Sequence, residues 1–88
     1  MKTLKEIKKD YYEQDRKAMR DGLKYLQVFK VKEDRKGLQY YEKANKTELK
    51  KADAETFWSG VYRATFHLTA VREINGKFYF FKNNYLFN

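Results

Sequence analysis

The sequence predicts an α+β domain in which a long N-terminal helix packs on an antiparallel sheet of about four strands, in the order α-β-β-(short α)-β-β. Three observations lead there. Near the N-terminus, apolar residues recur at helical spacing behind a capping sequence. Near the C-terminus, Asn75-Gly76 separates two runs rich in aromatic and β-branched residues. The 88 residues contain no proline, no visible repeat and no Gly/Ser linker, so a single small basic domain spans 1–88.

The N-terminal helix opens at Thr3, with Glu6 at capping-box spacing. At about 100° per residue, Leu4, Ile7, Tyr11, Ala18, Gly22 and Tyr25 share one face, the stripe that packs on a sheet. Lys5, Lys9, Tyr12, Arg16 and Arg20 form a second stripe that contains no acid, while Glu6, Asp10, Glu13 and Asp21 collect on the other flank. At 1.5 Å per residue the basic stripe runs about 22 Å, long enough to follow several phosphates, although a solvated face with i,i+4 pairs has the same pattern. Gly22 fits the buried face by angle but not by propensity, so the helix is expected to end near it.

From Leu23 the pattern alternates, with Leu23, Tyr25, Phe29 and Val31 on one side and Lys24, Lys30 and Lys32 on the other. Asp34-Arg35-Lys36-Gly37 has the Asp and Gly of a type I turn, and Leu38–Lys43 is the return strand. Closing the turn at Asp34 and Gly37 sets Val31 opposite Tyr40 and Lys30 opposite Tyr41. Lys30, Lys32, Tyr41 and Lys43 then make a basic-aromatic patch with Arg35 and Lys36 at its tip. A continuous helix over 23–43 is the alternative.

Asn45-Lys46-Thr47-Glu48 offers a second capping box, which predicts a short helix or irregular connection through 45–55. A long strand is expected over 61–74, with Phe57-Trp58-Ser59-Gly60 leading into it and a bulge or bend at Gly60. Asn-Gly is the strongest short hairpin signal, because a type I′ turn needs φ > 0 at both central residues. Its register sets Ile74 against Lys77, Arg72 against Tyr79, Val71 against Phe80 and Ala70 against Phe81. One face then carries Tyr62, Ala64, Phe66, Leu68, Ala70, Ile74, Tyr79 and Phe81 toward the helix. The other carries Arg63, Thr65, His67, Thr69, Val71, Phe78, Phe80 and Lys82. Phe78 and Phe80 are too apolar for a solvated face: they meet a second chain as a homodimer interface, lie under the 45–56 connection, or stack on a ligand.

Composition narrows the function. Twenty Lys and Arg against 12 Asp and Glu give +8, a field that concentrates polyanions or acidic protein surfaces. Residues 1–51 hold 16 basic and 9 acidic groups, whereas 52–88 hold 4 and 3, so the charge lies in the N-terminal half. The chain has no Cys and one His, which excludes a thiolate or histidine-rich metal centre, and no cofactor motif is present. No apolar run reaches the roughly 20 residues of a membrane span, so a cytoplasmic protein without membrane contact is expected. Gly76–Phe81 is similar only in composition to the aromatic strand of RNA-recognition domains. Its order and the elements before it differ, so the chain is not identified as a member.

The expected function is a non-catalytic basic module that binds nucleic acid, with RNA preferred. Lys5, Lys9, Arg16 and Arg20 contact phosphate; Lys30, Lys32, Arg35, Lys36, Tyr41 and Lys43 contact phosphate and bases. The alternative is an inhibitor of the phage-encoded type that docks on a nuclease, toxin or host defence factor and neutralises it, with or without RNA. A lesser alternative is a small ribonuclease toxin using His67, Arg63, Lys82 and Tyr85, although nothing in their spacing selects acid-base chemistry.

Overall fold

The structure, a computed structural model, describes residues 2–14 and 16–84, with the side chains of 12, 14 and 16–18 outside that description. The α+β class is observed. Helices α1 (Leu4–Gln14) and α2 (Arg16–Tyr25) lead into strands β1 (Leu26–Glu33) and β2 (Gln39–Lys43). Helices α3 (Lys46–Ala52) and α4 (Ala54–His67) follow, then β3 (Thr69–Ile74) and β4 (Lys77–Asn83). The strands form one antiparallel sheet in the order β2-β1-β4-β3. Its Leu26, Val28, Ala70, Ile74 and Phe81 meet Ile7, Met19, Leu49, Phe57, Trp58, Val61 and Ala64 of the helices in a single core. The helices therefore make one layer and the sheet the other.

The N-terminal segment is helical on both sides of residue 15, as α1 and α2. The cap at its start does form, with the Glu6 amide donating to the Thr3 hydroxyl (3.2 Å). The helix does not end at Gly22, because α2 continues to Tyr25. A Cβ at position 22 would lie 2.0 Å from the Thr65 hydroxyl, so the missing side chain lets α2 approach α4 closely, and this contact outweighs glycine's poor propensity.

The larger departure is the expected strand over 61–74, whose first half belongs to helix α4. Its Phe57, Trp58, Val61 and Ala64 are buried and share one helical face, a spacing that coexists in the sequence with the period-two alternation. Asp53 caps the start, accepting from the Thr56 amide (3.1 Å). Gly60 is a packing position and not a bulge: a Cβ there would stand 2.6 Å from the Phe81 ring. Leu68, at φ 71°, ends the helix and delivers the chain into β3. Ahead of α4, Asn45 caps α3 as expected, its side chain accepting from the Thr47 and Glu48 amides (3.0 and 3.2 Å).

The β3–β4 hairpin forms in the expected register around Asn75 (φ 53°) and Gly76 (φ 78°). The β1–β2 hairpin forms one residue out of the expected register. Gly37 donates to the Asp34 carbonyl (3.1 Å), completing the type I turn, but Asp34 also pairs with Leu38, its amide donating to the Leu38 carbonyl (2.9 Å). Gly37, at φ 80°, is thus the left-handed third residue of a three-residue loop, and the Asp34 carboxylate accepts from the Lys36 and Leu38 amides (both 2.9 Å). Val31 consequently faces Tyr41, Lys32 faces Tyr40 and Lys30 faces Glu42.

Candidate nucleic-acid interface

A slip of one residue turns every side chain of a strand to the other face. The predicted patch is therefore divided. Lys30 and Lys32 point to the helix side of the sheet with Glu42 and Tyr79, whereas Tyr41 and Lys43 point to the side that no described helix covers. On the helix side Lys32 pairs with Glu42, which holds the lysine above its ordinary pKa and the carboxyl below its own. Lys30 lies beside Lys77, whose hydrogen bond and charge press its pKa down.

Of the α1–α2 stripe, Lys5, Lys9 and Arg20 are exposed on the helical layer, and the Arg16 side chain lies outside the described residues. The stripe is shared between α1 and α2 and is not isolated from acid, since Lys9 reaches Glu13 (3.8 Å). Arg35 and Lys36 sit exposed at the β1–β2 tip. The expected ribonuclease set does not assemble on one element: Arg63 and His67 are exposed on α4, Lys82 belongs to the sheet, and Tyr85 lies outside the described residues.

The open sheet face brings together a different group. Lys43, Phe29, Phe80 and Val71 form one row across all four strands, and Gln27, Lys82 and Thr69 form the next. Tyr41 stacks on Phe80 (centroids 5.3 Å apart, planes at 28°) and meets Phe29 at 6.4 Å. Tyr41 is 56% exposed and Phe78 and Val71 are each 53% exposed, so the 45–56 connection does not cover this face as one expectation had it. Phe29 and Val31 stand here because Leu26 and Val28, in the opposite phase, take the core side; β1 is apolar on both faces.

Beside the aromatic row, at the start of β1, lies a cleft of ≈ 680 Å³ whose lining includes Lys24, Lys43, Lys46 and Lys82 and, among the described residues, no carboxylate. Local backbone geometry places these cations. β2 ends at Lys43, which leaves the Leu26 carbonyl beyond the ladder, and the Lys46 ammonium donates to it (3.0 Å). Lys24 lies over the Tyr25 ring at 5.4 Å. Of these four lysines the sequence named Lys43 for nucleic-acid contact and Lys82 only within the ribonuclease alternative. Lys24 belonged to a recognisable alternation, but Lys46 and Lys82 come together through tertiary structure alone.

Among the described residues no group of three potential metal ligands occurs, and no helix is long and apolar enough to cross a membrane. Compared with protein families, with curated proteins and with solved structures, the chain matches none.

Proposed function

We propose that the protein is a non-catalytic nucleic-acid-binding module that prefers single-stranded RNA and binds it on the open sheet face. The observation that carries this reading is the contiguity of the Tyr41-Phe29-Phe80 aromatics with the acid-free lysine cleft. Unpaired bases present free π faces to such a platform, and stacking contributes about 1–3 kcal/mol per base. Lysines beside it hold the backbone, releasing counterions and making affinity fall with salt. A duplex hides its base faces, so the aromatic row favours single strands.

Titration of a labelled single-stranded RNA at several salt concentrations tests this reading. Binding should weaken with a log-log slope of about 0.7 per phosphate contact. Replacing Lys24, Lys43, Lys46 and Lys82 with Gln should flatten that slope, while Phe80→Ala should reduce affinity with the slope retained. Binding that ignores both changes in folded variants would remove the site. Parallel titrations with single-stranded DNA and duplex RNA test the preference.

A second reading, an inhibitor docking on a nuclease, toxin or host defence factor, draws support from exposed Phe78 and Val71 on the same face. Such docking depends on a few buried aromatics and weakly on salt. A stoichiometric protein partner retained at high salt, lost on Phe78→Ala, would favour it over RNA.

A further inference from the structure

The sheet has two edges, and one of them is partly guarded. In β3, pairing with β4 uses Ala70, Arg72 and Ile74, as the Asn83 amide on the Leu68 carbonyl (2.9 Å) fixes the phase. Val71 therefore turns its carbonyl outward, and there Arg72 blocks it: the guanidinium donates to that carbonyl (2.9 Å) while its Nε donates to Ser59 (3.1 Å). A charged side chain folded over an edge is a standard guard against strand addition.

At β2 the phase is fixed by the Asp34 amide on Leu38 and the Ala44 amide on Val28 (both 2.9 Å). Tyr40 and Glu42 bond to β1, so Gln39, Tyr41 and Lys43 aim their amides and carbonyls away from the sheet. No described residue caps these groups, all five residues of β2 are exposed, and the strand contains neither proline nor bulge.

We propose that this edge pairs with the same edge of a second copy, antiparallel about Tyr41, to give a continuous sheet of twice the four strands. Charge favours the occupant, and charge together with backbone pairing selects the register. β2 carries one acid and one base, so two copies meet here without net charge although each chain carries +8. Centred on Tyr41, the pairing sets Gln39 against the partner's Lys43 and Tyr40 against the partner's Glu42. Centred on Lys43 it opposes two lysines, and centred on Gln39 it sets Lys43 against the partner's Arg35. Only the Tyr41 register pairs all three outward residues within β2, and inside the strand it opposes no like charges, which destabilise when directly opposed. The two aromatic rows then join through Tyr41. The inference rests on backbone geometry and charge and does not depend on the nucleic-acid reading.

A residue on a two-fold axis meets itself, and this gives the test. Sedimentation equilibrium from about micromolar to about millimolar protein should show a monomer–dimer equilibrium, because a short strand contact lies at the weak end of association. Tyr41→Glu and Tyr41→Lys should each weaken self-association by about 2- to 5-fold or more, since either charge repels its own copy. Mixing the two variants should restore dimers as a heterodimer, and Tyr41→Phe should dimerise like the parent. Circular dichroism checks that each variant is folded, as expected for an exposed side chain. A chain monomeric throughout overturns the proposal, whether its edge takes an unrelated extended peptide or nothing. So does a dimer in which both charged variants associate as well as the parent, or in which mixing them restores nothing.

Discussion

The two hairpins of this sheet each began with a local turn signal and ended differently. Asn75-Gly76 closes β3–β4 with two residues at positive φ, and every predicted partner is found. Asp34–Gly37 is also a turn, but Asp34 pairs with Leu38 beyond it, and this single extra residue moves β2 by one position. The first turn leaves the chain one way to close. The second leaves a choice, settled by the left-handed Gly37 and by the two amides that the Asp34 carboxylate satisfies. That choice carries Tyr41 from the lysines of the helix side to the aromatics of the open face. A binding surface can thus depend on one loop residue far more than on the composition of its strands.

The hairpins also differ in how they are anchored, and the largest expected effects test this. Phe81 of β4 is fully buried against Phe57, with ring centroids 5.8 Å apart. Phe81→Ala should cost about 3–5 kcal/mol in urea unfolding, and it should unfold both hairpins together if the core is one unit. Tyr41→Ala removes an exposed ring from β2 and should stay within roughly 1 kcal/mol of the parent. Equal losses would mean that β2 is as integral to the core as β4. Next in size is Gly60→Ala, whose new methyl would push on the Phe81 ring from 2.6 Å; about 1–3 kcal/mol should be lost. A stabilised Gly60→Ala would show that α4 does not press on β4 so closely.

The same contrast explains what was legible. Caps at Thr3 and Asn45 and the Asn75-Gly76 turn are local instructions, read by the few residues beside them, and all three operate. α4 was hidden because Val61–Ile74 satisfies both periods; burial of Phe57, Trp58, Val61 and Ala64 decides for the helix, and burial is a tertiary fact. Gly22 and Gly60 looked like a stop and a bulge, since glycine's backbone signal is local whereas its use here is the absent Cβ opposite Thr65 and Phe81. Of the candidate interface, Tyr41, Lys43, Phe78 and Phe80 were named from the sequence but assigned to separate surfaces. The slip in β1–β2 unites them, and the lysine cleft appears only once the end of α2 and the start of α3 meet around β1.

Turn chemistry provides a smaller test. A methyl added at Gly76 would meet nothing within 4 Å, so Gly76→Ala should cost about 1 kcal/mol through its φ of 78° alone. At Gly37 the methyl would also meet the Glu33 carboxylate at 3.2 Å, and a similar or slightly larger loss is expected. Denaturation midpoints that rank Gly76→Ala well below Gly37→Ala would instead make the Asn-Gly turn the more demanding of the two.

The smallest effects lie in the charges that link the strands on the helix side. Within the first hairpin, Lys32 and Glu42 attract. The lowered pKa of Glu42 means stability present above the ordinary carboxylate range and lost as pH falls through the folded value. The raised pKa of Lys32 means stability present below the ordinary lysine range and lost as pH rises through its folded value. Across the seam between the hairpins, Lys30 and Lys77 repel, and the lowered pKa of Lys30 reverses the sign: its protonation opposes folding until pH rises through that lowered value. Lys77→Gln should therefore raise the urea midpoint at neutral pH, and the gain should shrink on approaching the ordinary lysine range as Lys30 loses its proton in the parent. Glu42→Gln should lower the midpoint at neutral pH and converge on the parent in acid. Both differences should diminish with added salt because the groups are exposed. If Lys77→Gln were neutral at every pH while Glu42→Gln kept its effect, the attraction within the first hairpin would matter and the repulsion at the seam would not.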